Sequence, residues 1–382
     1  MKQTVFGTCA DHFAPLFEEF SRNFQSSTSG RDVDLGAAVS VTLNGETVVD
    51  LWGGYQDAQC QRPWQADTMV CVFSVTKAVA AACIHVLHSR GVIDIDAPIA
   101  NQWPDFAQNG KAGITPRMVL SHTAGLMAPT VPAGSLWEPG ILVGAIERMA
   151  PEWEPGTQAG YHSFTFGPIL QEVVRLATRQ SLGTFLRDDI ALPFSVDFAV
   201  GLTPAENARC ADLIGNDLNG TIAPFRSDPA QDVYHHWAAL PRTEDFNSAN
   251  WRGQEFFSLA GHGNARGIAK LLSPFANRGL LDGSPLIAPD HLTGAIAQHW
   301  SGRDNFSQSS GRFAAGFQMA DETYPFGGRP ECIGHYGIGG SVGFADPVAH
   351  LTFSYTPNRL ISGGAGKNRL SERLIKAVYS AL

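Results

Sequence analysis

Residues 37 to 51, AAVSVTLNGETVVDL, alternate along the chain on either side of Asn44-Gly45. Period-two alternation marks a strand, and Asn-Gly readily supplies the two positive-φ positions of a two-residue turn. A β-hairpin is predicted there. In VCVFSVTKAVAAACIHVLHSRG a strand end gives way to small and apolar residues stopped at Gly91, so a strand should run into a helix with Ser74 at the helix N-terminus. From about residue 95 to 200 helical signals punctuated by Pro and Gly dominate, in ITPRMVLSHTAGL, GILVGAIERM and FGPILQEVVRLATRQSLGTFLRDDI. Residues 212 to 257 are irregular and hold Phe225, Tyr234, Trp237, Phe246, Trp251, Phe256 and Phe257, which reads as a lid or binding wall. Strand patterns return in GRFAAGFQMA, then in SVGFADP and AHLTFSYTP as a hairpin, before an amphipathic helix, NRLSERLIKAVYSAL.

These elements predict an α+β fold, with an antiparallel sheet built from both chain ends, flanked by helices, and a mainly helical lobe inserted between. The sheet-bearing lobe is expected at approximately 1–94 and 258–382, and the helical lobe with its lid-like loop at approximately 95–257, within one unit of 382 residues.

Composition narrows the functions. The chain is 44% apolar and 16% charged, as in soluble globular proteins, and its net charge of −9 with no Lys/Arg run argues against nucleic acid as a partner. Met69 to Leu87 is the most apolar stretch, but Lys77 and His85 interrupt it, so it predicts a buried helix rather than a membrane span. The first twenty residues show no signal-peptide core, and the six cysteines form no CxxC pair; both fit a cytoplasmic protein with reduced thiols. The histidines include no HExxH and no cluster with credible ligand spacing, so no metal site is expected.

Two serines could carry nucleophilic chemistry. In Ser74-Val75-Thr76-Lys77 a lysine one helical turn on can take the serine proton if burial keeps it neutral, and the helix dipole favours negative charge near Ser74. The same residues could be an ordinary N-cap serine and a solvated lysine. Gly339-Gly340-Ser341-Val342-Gly343 satisfies G-x-S-x-G, but a nucleophile elbow needs a helix after it, and here FADPVAHLTFSYTP continues as strand.

SVTK, ITPRMVLSHTAGL at 114–126, PGTQAGYHSFTFGPILQEVVRLATRQSL at 155–182, GHGNARGIAKLL at 261–272 and HYGIGGSVGFADP at 335–347 together resemble the serine β-lactamase and penicillin-binding-protein superfamily. Within it the chain is similar to the family VIII carboxylesterases. The resemblance implies a β-lactamase/transpeptidase-like fold and a serine hydrolase needing no cofactor, with Ser74 as nucleophile and Lys77 as its base. It makes Tyr161 a proton relay, a phenol able to serve as acid or base if Lys77 lowers its pKa, and it makes the backbone N–H groups of Ser74 and Ile338 an oxyanion hole. His335, Gly337 and Ser163 fall at substrate-binding positions. His335 stands where lactamases carry a lysine that helps bind the drug's carboxylate, and Ser163 where they carry asparagine. Both departures point to small, mostly neutral esters as substrates. The same fold also serves β-lactamases, D-amino acid peptidases or amidases and acyltransferases, or, outside catalysis, a sensor acylated once or an assembling scaffold.

Overall fold

The computed structural model describes residues 5–25, 33–132, 135, 138–215, 245–361 and 368–382. Three strands come from the first part of the chain: β1 (Val5–Cys9), β2 (Gly36–Leu43) and β3 (Glu46–Gly54). The short strands β4 (Val70–Cys71), β5 (Phe198–Val200) and β6 (Gly261–Gly263) make a separate sheet ordered β4-β6-β5, and β7 (Leu280–Leu281) pairs with β8 (Ser284–Pro285). Six more strands follow: β9 (Trp300–Arg303), β10 (Ser310–Phe313), β11 (Gln318–Met319), β12 (Ile333–Tyr336), β13 (Val342–Asp346) and β14 (Leu351–Pro357). With β1 to β3 they build a nine-stranded antiparallel sheet, β1-β3-β2-β14-β13-β12-β11-β10-β9. The two chain ends meet where residues 37–43 of β2 pair with 351–357 of β14. Both predicted hairpins are present, and Asn44 and Gly45 turn the first at φ 53° and 85°.

The alternation in β2 separates apolar from small residues, not buried from solvated ones, because every residue of β2 except Leu43 is buried. Ala37, Val39 and Val41 join Phe353 and Tyr355 in a core closed by α1 (Ala14–Asn23) and the helix Arg369–Ser380. The other face carries Ala38, Ser40 and Thr42, small enough for the helix Ala265–Ala276 to approach closely. There the Thr42 and Thr352 hydroxyls bond each other at 2.6 Å, and Thr352 donates to the Ala269 carbonyl at 3.0 Å. These partners make burial of the hydroxyls tolerable.

The helical region is more broken than its sequence predicts. Preceded by α2 (Val75–Ser89), it comprises, among the described residues, α3 (Pro116–Leu120), α4 (Pro139–Arg148), α5 (Phe166–Thr178) and shorter turns. α3 ends early because His122 and Gly125 take left-handed φ values of 61° and 74°. After α5, Arg179 is left-handed at 64°, and helix resumes only as Leu182–Phe185 and a π-turn at Leu186–Ala191. α2 is buried from Val75 to Leu87 and packs against α5, β12 and the helix Ala265–Ala276. Its all-round apolar pattern is that of a central helix. β1 and α1 arise in a segment where the sequence pattern predicted no element.

The described part of the expected aromatic wall is core. Phe246, Trp251, Phe256 and Phe257 are all buried, while Phe225, Tyr234 and Trp237 lie outside the described residues. Among the described residues no helix is long and apolar enough to cross a membrane.

Candidate active site

β4 pairs with β6, and the chain then turns through Val72 and Phe73 into α2. Phe73 sits at φ 47°, a conformation costly for a residue with a bulky side chain. Its buried ring is held edge-on by Phe246 at 5.2 Å, which in turn meets Trp251 at 4.7 Å. Ser74 follows as the N-cap residue of α2, but its hydroxyl makes no capping bond and is left for other work.

One turn on, Lys77 is completely buried. Its Nζ lies 3.5 Å from Ser74 Oγ, donates to the Ser258 carbonyl at 2.8 Å and stands 4.8 Å from the centre of the Tyr161 ring. Burial, with no carboxylate to offset it, holds the amine well below the ordinary lysine pKa. A solvated lysine beside an N-cap serine is therefore excluded.

Tyr161 is buried beside Lys77, with its hydroxyl 3.3 Å from His335 Nε2. A phenol pKa lowered by Lys77 was the condition for Tyr161 to act as acid or base. The phenol is instead pushed well above its usual value, chiefly by burial, against a lowering contribution from the Ser74 hydroxyl. Its protonated form is thereby favoured, which suits a group that passes protons on and not one that rests as a phenolate.

His335, on β12, has Nδ1 at 2.7 Å from the Tyr336 carbonyl. A carbonyl only accepts, so Nδ1 carries the proton and bare Nε2 accepts from the Tyr161 hydroxyl. Burial and then Lys77 lower its pKa to about 3, leaving the ring neutral at pH 7. Gly337 must be glycine for space, since a Cβ would overlap the Val72 carbonyl and the Ser341 hydroxyl. Ser341 donates to the Val72 carbonyl at 2.9 Å and leads into β13, so it ties the turn before α2 to the start of that strand. Among the described residues the backbone N–H groups of Ser74 and Ile338 meet no acceptor. Ser163 lies fully buried with its hydroxyl unpartnered among the described residues, so it presents no surface to a substrate.

Three participants had no reading in the sequence. Ser258 supplies a carbonyl to Lys77 and bonds Phe164 O and Gly167 N through its hydroxyl, both at 2.9 Å. His122 packs its ring 4.7 Å from that of Tyr161 and accepts the His162 N–H at 3.1 Å on Nδ1. Burial, His162, Lys77 and His335 hold His122 well below the usual histidine range, so it too is neutral. Asp304 accepts the Tyr161 N–H at 2.9 Å. Only the SHTAGL segment carrying His122 had stood out, as part of a motif and not as a site residue. Among the described residues no three His, Cys, Asp or Glu side chains are grouped to hold a metal.

The arrangement is a hydroxyl, a buried amine of lowered pKa and a phenol of raised pKa, beside two N–H donors that meet no acceptor among the described residues. Residues 27–376 match the family described as Beta-lactamase. The chain is 30% identical over 371 residues to the esterase/beta-lactamase LipL of Mycobacterium tuberculosis, covering 94% of this chain and 84% of that protein. The crystal structure of a family VIII carboxylesterase superposes with a TM-score of 0.89 at 33% identity, over 99% of this chain and 100% of that one. A penicillin-binding protein homologue from Caulobacter crescentus gives 0.86 at 34%, over 99% and 100%. The fold is therefore β-lactamase/transpeptidase-like, and the chain belongs to the beta-lactamase family.

Proposed function

We propose that this protein is a serine carboxylesterase that hydrolyses small, mostly neutral esters through an acyl-enzyme on Ser74. The observation that carries the reading is the buried amine of Lys77, held between Ser74 Oγ and the Ser258 carbonyl, with burial lowering its pKa. Ser74 Oγ attacks the ester carbonyl and its proton passes to Lys77, directly or through Tyr161. The oxyanion forms against the N–H groups of Ser74 and Ile338. Tyr161 then protonates the departing alkoxide and regains a proton from the Lys77 ammonium, and water releases the acid by the same route in reverse. His335, through its bare Nε2, orients the Tyr161 hydroxyl. No cofactor enters these steps.

The esterase names of LipL and of the family VIII structure support ester cleavage. The neutral His335 favours uncharged substrates over β-lactams, which carry a carboxylate. All six cysteines are free, which supports a reducing compartment such as the cytoplasm. We further propose two lobes, near 1–94 with 258–382 and near 95–257, meeting at Ser74 and Tyr161. A p-nitrophenyl phosphonate tests the assignment. Stoichiometric labelling at Ser74 with loss of p-nitrophenyl butyrate hydrolysis is expected, and labelling at Ser341 would overturn it.

A further inference from the structure

Tyr161 belongs to neither helix nor strand, and its backbone must be held from outside. His122 holds one side, its carbonyl accepting the Gly160 N–H at 3.0 Å and its Nδ1 the His162 N–H. The other side is held by the loop joining β9 to β10, far away in the sequence. Asp304 closes that loop, donating its N–H to the Ser309 carbonyl at 2.9 Å and accepting the Gln308 N–H at 2.8 Å. Its carboxylate turns inward, only 2% exposed. Oδ1 accepts the N–H groups of Phe306 at 3.0 Å and Tyr161 at 2.9 Å, and Oδ2 that of Ser307 at 3.1 Å.

The grip extends along the segment. Ala159 and Asp304 form a parallel bridge, Asn305 N–H donates to the Ala159 carbonyl at 2.9 Å, and the Asn305 amide donates to Gln158 at 3.0 Å. Phe306 sets its ring 5.6 Å from that of Tyr161. Burying a carboxylate with only backbone N–H groups and the Ser307 side chain as partners is expensive, since among the described residues no cation pairs with it, and burial raises its pKa. Closing a surface loop does not demand that cost, because a half-exposed asparagine can cap such a turn. The feature that only this inward placement provides is the bond to the backbone of Tyr161.

We propose that Asp304 is a positioning residue for the reaction, fixing the backbone from which the Tyr161 hydroxyl reaches between Ser74 and His335; this rests on Tyr161 acting as the proton relay. The carboxylate's charge acts in the same direction, helping to keep the phenol protonated.

The test is a double-mutant cycle on ester turnover, with acylation rates measured in single-turnover experiments. Asp304→Ala is expected to lower kcat about tenfold to a hundredfold, the scale of a displaced catalytic group, with little change in KM. Asp304→Asn keeps an oxygen for the Tyr161 N–H, should retain more activity, and serves if the alanine variant folds poorly. In a Tyr161→Phe background, either change should cost less than about twofold more, because the group being positioned is gone. Equal losses in both backgrounds would overturn the proposal, as would wild-type kcat in a folded Asp304→Ala protein. Wild-type turnover in Tyr161→Phe alone would instead remove the relay reading, and the positioning role with it.

Discussion

Lys77 and Asp34 are both buried ionisable side chains, on opposite faces of the large sheet's neighbourhood, and they are satisfied very differently. Asp34 lies where the chain enters β2, and the Tyr355 hydroxyl on β14 reaches both its oxygens, at 2.6 and 2.7 Å. Burial raises its pKa to about 7, while the bond from Tyr355 and the nearby Arg359 and Arg373 pull the other way. Among the described residues Lys77 has one carbonyl, one long contact to a hydroxyl and no opposite charge. Asp34 is enclosed by partners that fasten two segments of chain. Burial lowers the pKa of Lys77 and leaves its amine beside a serine, which is what the proposed base requires.

The largest effects should come from the open side of this contrast. Ser74→Ala is expected to abolish ester hydrolysis, and Tyr161→Phe to lower it by about two to four orders of magnitude. Lys77→Met should be as inactive yet more stable. The folded pKa of Lys77 is lowered, so the folded state binds fewer protons than the unfolded one and stability rises with pH up to the ordinary 10.5. The gain from Lys77→Met should therefore be greatest at low pH and fade toward pH 10. The ascending limb of kcat/KM in the wild type should lie well below the ordinary lysine range. A wild-type limb near pH 10, or destabilisation by methionine at every pH, would show that Lys77 is a charged structural residue. Ser341→Ala should leave most activity in the folded protein.

Next in size is substrate choice. A charge-assisted contact to a carboxylate contributes roughly 1.5–3 kcal/mol, or about ten- to a hundredfold, and neutral His335 offers none. p-Nitrophenyl acetate or butyrate should be turned over with far higher kcat/KM than nitrocefin, and His335→Lys should narrow the gap. Efficient penicillin hydrolysis with negligible ester cleavage would make the enzyme a β-lactamase.

The closed side of the contrast predicts stability instead of activity. The folded pKa of Asp34 is raised, so its contribution is fully present below the unfolded value and is lost as pH rises through about 7. Wild-type stability should fall between pH 5 and 7, and Asp34→Asn should remove about 2 kcal/mol of that fall while leaving ester turnover unchanged. Identical pH slopes for the two proteins in thermal unfolding would refute the assignment.

What spacing in the sequence revealed was local. Ser74 and Lys77 are three apart at one helix start, and β2–β3 and β13–β14 are hairpins with short turns, while Tyr161, His335 and Ile338 were legible only through the resemblance of whole segments. The remaining parts of the site depend on contacts between distant segments. Asp304 meets Tyr161 across 143 residues, and Ser258 meets Lys77 across 181 through a backbone carbonyl that no residue type announces. Phe246 and Trp251 read as a lid because their segment lacks periodicity, whereas their rings pack behind Phe73. β1 escaped notice because its three central residues are exposed and only pairing with β3 makes it a strand.

The smallest effect should come from Ser163, a third kind of buried polar group, with neither the closure of Asp34 nor the chemistry of Lys77. Its position matches an asparagine that contacts the amide of β-lactams, which suggested a substrate contact. Its hydroxyl is fully enclosed, and no described residue bonds it. An unsatisfied buried hydroxyl costs roughly 1–3 kcal/mol in desolvation, and removing it while keeping the small volume of alanine relieves that cost at the price of little packing. Ser163→Ala should therefore keep kcat and KM for p-nitrophenyl butyrate within about twofold and leave Tm unchanged or raised, since no described residue is bonded to its hydroxyl and so neither a reacting group nor a group that positions one depends on it. Steady-state kinetics beside thermal unfolding of the two proteins checks both halves. A rise in KM of tenfold or more at unchanged Tm would return Ser163 to the substrate-binding set.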